Sequence, residues 1–251
     1  MHSPDSPYLQ PVPPPPDARS LSVAQRSEML AAAREIQECY RVLEKADLNV
    51  VGEVLRGQGE FIELEHYPPD DVFDHHNHSQ YYYHAHRPGE HGHFHTFVHP
   101  GDMPGGPQPL IAMRGDEPWP EGSDAIAHLV GISMDEWGYP IGLFAANRWV
   151  TDETWYAAES VIAMLPHFQV DHAWPSWPVN RWITAMLRLF RPHVTALLTH
   201  RDQVIDAWRQ ARPDTDVLED RQLETTGYIP VSVDEWTAAL EAADQRQQGR
   251  H

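Results

Sequence analysis

Ten of the seventeen histidines fall between His66 and His99, and five of these, His84, His86, His91, His93 and His95, alternate along two short segments. In extended chain, alternate side chains share a face, so each set can present its imidazoles together. Between the sets, Arg87-Pro88-Gly89-Glu90 has the composition of a turn. An even loop over 87–90 pairs His86 with His91, His84 with His93 and Tyr82 with His95, which puts both sets on one face. A three-residue loop slips the register by one and divides them between faces. The even loop also gathers Tyr83, Phe94, Thr96 and Val98 on the other face as a packed side, and it is the preferred reading. Directly opposed β-carbons lie roughly 4.5–5.5 Å apart. Imidazoles at that spacing can meet on one ion through bonds of about 2.0–2.1 Å.

The expected ligands are therefore drawn from His84, His86, His91, His93 and His95, with Glu90 or His128 completing the set. His128 interrupts the apolar run Ile126–Val130, and reads either as a ligand from a neighbouring strand or as a hydrogen-bonded core histidine. Glu90 and Tyr82 are the expected catalytic groups: Glu90 follows the first histidine pair, and Tyr82 shares the histidine face, where its hydroxyl can donate a proton. Crowded imidazoles without an ion compete for donors and depress one another's protonation, which favours a metal site over a solvated histidine face. Such a donor set suits Fe(II), Cu(II), Zn(II) or Ni(II).

The expected function is a metal-dependent enzyme, an oxidoreductase or oxygenase acting on a small molecule, because no HExxH motif supports zinc hydrolysis. Alternatives are a zinc-dependent hydrolase and a metal-handling protein (buffer, chaperone or sensor). A haem protein has no supporting motif. Elsewhere, His75, His76 and His78 follow Asp70, Asp71 and Asp74 and read as a solvated acidic loop, with a secondary ion site as the alternative. His193 and His200 lie about 10 Å apart along a helix and cannot share an ion. Trp174-Pro175-Ser176-Trp177-Pro178 reads as packing or as a pocket wall.

Eighteen Lys and Arg against 37 Asp and Glu give a net charge of −19, a field that repels nucleic acid and anionic membranes and attracts cations. The single Cys39 excludes internal disulfides and thiolate-rich metal sites, and reads as a structural residue. There is no basic-then-apolar leader and no apolar run near the ~18 residues of a spanning helix. The expectation is a cytoplasmic protein.

The histidine strands need a scaffold. Residues 1–18, with Pro11 and the run Pro13–Pro16, read as a disordered polyproline arm, followed by a single domain over 19–251. A first helix is expected from Ser20 or Ser22, burying Leu30, Ala33, Ile36, Tyr40 and Leu43 at helical spacing. Strands are expected over 61–67, 79–86, 91–99, 125–134 and 141–149, with a sixth within 221–229. A helix through Trp155, Ala158, Ile162 and Leu165 is expected after Thr151 or Asp152. Further helices should start at Pro178, near Pro192 and after Ser232, whose Glu235 completes a capping box. The fold class is α+β: a curved antiparallel sheet carrying the histidine hairpin, with helices at the N-terminus and in the C-terminal half.

His84-x-His86-x-x-x-Glu90 resembles the first metal motif of the cupins, which implies iron, manganese, nickel, copper or zinc. The likeness covers these seven residues; His78 stands where the pattern has glycine, Pro88-Gly89 would break the strand that should carry Glu90, and no second motif follows Phe97. The cupin barrel is accordingly not expected. The segments His84–His95 and Asp216–Arg221 resemble an uncharacterised bacterial family of unknown function. That likeness extends over most of the chain after the proline arm and implies no particular chemistry.

Overall fold

The structure is a computed structural model that describes residues 12, 14, 15, 17–102 and 106–248. Six strands form one antiparallel sheet in chain order: β1 (Tyr67–Asp74), β2 (Ser79–His84), β3 (Gly92–Val98), β4 (Ala127–Met134), β5 (Pro140–Ala146) and β6 (Thr225–Pro230). The helices are α1 (Val23–Glu44), α2 (Val50–Leu55), α3 (Arg148–Thr151), α4 (Ala158–Met164), α5 (Trp177–Leu189), α6 (Arg191–Ala211) and α7 (Val233–Gln248). None is long and apolar enough to cross a membrane among the described residues.

Local chemistry explains most boundaries. Ser22 caps α1 by accepting from the Gln25 amide, and the Gln25 side chain accepts from the Ser22 amide in return. Met29, Ala33, Ile36, Tyr40 and Leu43 then recur on one buried face. Ser232 accepts from the Glu235 amide at the start of α7.

Three expectations give way. The strand expected over 61–67 is irregular, and β1 instead runs from Tyr67 through Pro68 and Pro69. Proline is tolerated there because β1 is a sheet edge, and the pairing jumps from Tyr67↔Tyr83 to Val72↔Tyr81 across a bulge. Thr151 and Asp152 do not cap the next helix; Asp152, at φ 49°, ends α3, and α4 begins only at Ala158. Trp155 leaves the helix to join Trp119, Trp208, Leu218 and Leu223 in a second apolar cluster. Finally, β5 stops at Ala146 because Asn147 caps α3 through the Arg148 amide and donates to the Val217 carbonyl.

The helices cover one face of the sheet. Tyr81, Tyr83, Phe94 and Val98 belong to this main core, where Phe94 meets Trp182 of α5 at 5.6 Å between ring centres and Tyr81 donates to Asn180 of the same helix. Cys39 is buried there too. The packed chain reaches back before residue 19: Ala18 is buried and Val12 rests against the core. Residues 1–11, 13 and 16 of the expected arm lie outside the described residues.

Candidate metal centre

Strands β2 and β3 pair with His84 opposite His93, Tyr82 opposite His95 and Tyr83 opposite Phe94. The even register therefore holds through the paired region. It stops there, since β2 ends at His84 and β3 starts at Gly92, so His86 and His91 stand in the connection and do not pair with each other, although the His91 amide still donates to the Met134 carbonyl of β4. His86 folds over the cluster, its ring centre 4.9 Å from His84 and 5.0 Å from His93. His91 turns to the opposite face. Its Nδ1 lies 2.7 Å from the Tyr83 hydroxyl and its ring stacks on Phe61 at 5.7 Å. Gly92 permits this: a β-carbon there would come within 2.5 Å of the Tyr83 oxygen. The structure thus brings His84, His86 and His93 together, with one nitrogen of each within 4.8 Å of the others, and leaves His91 out.

The protonation states in this group follow from its neighbours. Glu90 lies with its Oε1 2.5 Å from His93 Nδ1. Burial raises the Glu90 carboxyl above its ordinary range; as a carboxylate it accepts a hydrogen bond from His93 Nδ1–H, which leaves the lone pair on His93 Nε2, facing His84 Nε2 at 2.7 Å. Burial, with His86, His66 and Arg87 adding to it, drives His84 down to about 3. Burial also lowers His86 and His93, so the three imidazoles are neutral donors. Two nitrogens on a tetrahedral ion would sit about 3.3 Å apart given bonds of about 2.0–2.1 Å, so this pair need open only by roughly half an ångström. The donor set fits a transition ion, and Glu90 fits the carboxylate that commonly fixes a ligating imidazole from behind.

His95 stands next to this group, its ring 4.9 Å from His93 and 5.1 Å from His84. Its Nδ1 is 3.0 Å from His128 Nε2, while its Nε2 is buried with no hydrogen-bond partner. An orphaned buried donor or acceptor costs about 1–3 kcal/mol unless a water or ligand meets it. His128 sits behind His95 on β4, away from the three-histidine group. Burial lowers it to about 3, and its backbone amide donates to Glu153. Glu153 is itself buried, which lifts its carboxyl to about 7 despite Arg201 nearby.

Aromatic rings complete the walls. Tyr82 is sandwiched between Phe97 at 5.7 Å and His66, which stacks on it at 3.6 Å; burial raises the phenol above its ordinary range. Phe144 presents its ring edge-to-face with His93 and His95 at 5.1 and 5.5 Å. It can lie flat because its neighbour is Gly131, where a β-carbon would come within 2.1 Å of the ring. The Arg87 guanidinium covers Phe144 at 4.0 Å.

An open cleft of about 1030 Å³ adjoins the group, lined in part by His86, Arg87, Glu90, His91, Phe61 and Trp137. Three contributors were not singled out from the spacing of the histidines. Arg87 read only as part of a turn. His66, whose Nδ1 contacts Asp71 at 2.8 Å, lay outside the hairpin, and Glu153 comes from a distant segment. Only His66 had a signal, its membership of the histidine-rich stretch. The expected acidic loop is a capped turn in part: Asp74 accepts from the amides of His76 and Asn77.

A family model described as a domain of unknown function (DUF6969) matches residues 30–231, a span that contains the whole histidine hairpin and the segment 216–221. No curated protein and no solved structure matches the chain. The cupin likeness gains no support from these comparisons, and β1 and β6 remain the two edges of the sheet.

Proposed function

The chain belongs to the DUF6969 family of domains of unknown function, and we propose that it is a transition-metal-dependent enzyme acting on a small molecule, with His84, His86 and His93 as the metal ligands. The observation that carries this reading is the inward-facing nitrogen set: three neutral imidazoles within 4.8 Å, one of them fixed by a buried carboxylate. An ion bound there supplies Lewis-acid or redox chemistry. An all-imidazole set is compatible with iron, copper, nickel or zinc; an oxidoreductase or oxygenase is preferred to a hydrolase because, among the described residues, the group holds no carboxylate besides Glu90, which His93 engages. Glu90, expected as a catalytic residue, is engaged with His93 and is better read as its positioning partner. Tyr82, neutral and stacked against His66, remains the candidate proton or hydrogen-bond donor.

A metal-handling protein is the competing reading, favoured by the surplus of histidines. Against it stands the enclosure: His93 is fully buried and His84 nearly so, beside a cleft large enough for a substrate. Elemental analysis of tag-free protein, followed by reconstitution with single metals, separates the readings. One tightly held ion per chain supports the enzyme, and at a hundredfold excess over its dissociation constant it should stabilise the fold by about 2.7 kcal/mol. Several weak, exchangeable ions support handling, and none at all removes both.

A further inference from the structure

We infer that the centre takes a monoanionic carboxylate ligand, hydrogen-bonded by Nη2 of Arg87; this rests on the reading of the histidine group as a metal site. Arg87 is held by two contacts that leave part of its fork unused. Its Nε donates to Glu224 Oε1 at 3.0 Å, and its guanidinium plane lies 4.0 Å over Phe144. Nη2 is buried with no hydrogen-bond partner. A guanidinium is always charged and offers a planar fork matched to carboxylate oxygens, so an unmet donor on a cleft-lining residue points to an anion supplied from outside the chain.

The location fits that ligand. Arg87 stands between the histidine group and the cleft: it lines the cleft with His86 and Glu90, and the Phe144 ring beneath it also meets His93 and His95. A divalent ion and Arg87 would bring three positive charges to this end of the cleft against the two carboxylates of Glu90 and Glu224, leaving it net positive in a protein whose net charge is −19. The rest of the cleft has the opposite character. Glu63, Asp135 and Glu136 line it along with Phe61, Trp137 and Ile141. A molecule with one carboxylate and an apolar or cationic remainder suits both ends, whereas a second carboxylate would face those acids. The charge order selects a monocarboxylate over a dicarboxylate.

The test uses the full chain loaded with Co(II), whose visible absorption reports changes around the ion, titrated with acetate and separately with succinate. Expected are saturable changes with acetate, weaker binding of succinate, and at least tenfold weaker acetate binding in Arg87→Met. Arg87→Lys, which keeps the charge but loses the fork, should also bind acetate more weakly and serves if Arg87→Met fails to fold. Failure to take up Co(II) overturns the metal reading and this inference with it. If Co(II) binds but acetate leaves the spectrum unchanged, or if both Arg87 variants bind acetate as the unmodified protein does, the ligand assignment falls and the metal reading stands.

Discussion

The two faces of the β2–β3 hairpin are buried alike and built from opposite chemistry. Phe94 and His93 are neighbours on β3, and both have no exposed surface. Phe94 packs among Tyr81, Tyr83 and Trp182, whose ring surfaces gain by leaving water. On the other face, the rings of His84, His86, His93 and His95 crowd one another, and burial must hold them neutral. One nitrogen of His95 has no partner. Burial alone therefore does not separate a core from a site, and neither does one unpartnered atom, since Trp182 Nε1 in the core also lacks a partner; the crowding of titratable rings does.

The sharpest test of that contrast is Phe94→Ala, which should cost roughly 3–5 kcal/mol through the cavity it leaves. Thermal and denaturant melts measure this loss, and metal affinity measured on the folded fraction should barely change. His84→Ala should do the reverse. It removes a nitrogen aimed at His93 without stranding Glu90, so metal affinity should fall by at least about 100-fold, more than the loss of an outer partner. Metal-competition titration reads the affinity, and a folded variant that keeps it would move the site elsewhere.

Glu153 probes how far the polar face extends behind His128. Its folded pKa of about 7 lies above the ordinary 4.5, so the native state holds its proton more tightly than the unfolded chain. Its contribution is then intact below about pH 4.5 and is lost as pH rises through 7. Glu153→Gln, which keeps an acceptor for the His128 amide, should remove that loss. Relative to the unmodified protein it should gain on the order of 2–3 kcal/mol between pH 5 and 8. Parallel stability curves for the two proteins across that range would show that the carboxyl is not desolvated. The smallest effect is expected from Glu90→Gln. It retains an oxygen near His93 but weakens the acceptor, so metal affinity should drop about tenfold, toward the low end for outer partners, with little change in melting temperature. Calorimetric titration with Zn(II) measures it, and an unchanged affinity would make Glu90 a bystander.

Much of this molecule is decided within short stretches of chain. The alternation of His84, His93 and His95 with Tyr83 and Phe94 follows from the two-residue repeat of a strand. That repeat, with an even connection, makes His84 face His93 wherever the hairpin lies. Ser22 with Gln25, and Ser232 before Glu235, start helices through local hydrogen bonds that need no other part of the protein. The placement of β6 and of the helices at Pro178 and Pro192 was legible for the same reason.

Tertiary structure decided what lies off the strand repeat. His86 and His91 have equal standing in the sequence, yet beyond His84 and His93 the pairing of β2 with β3 no longer dictates a face. Packing then assigns His86 to the cluster and His91 to the Tyr83 hydroxyl across Gly92. Pro68 and Pro69 end a strand by local preference, but the sheet accepts them because β1 is its edge and, among the described residues, has no outer neighbour to bond. Arg87 and Glu153 take their roles from Phe144, Glu224 and His128, partners tens of residues away in most cases. Side-chain spacing along a strand is set by backbone geometry; the surroundings of a buried charge are set by whatever the fold packs around it.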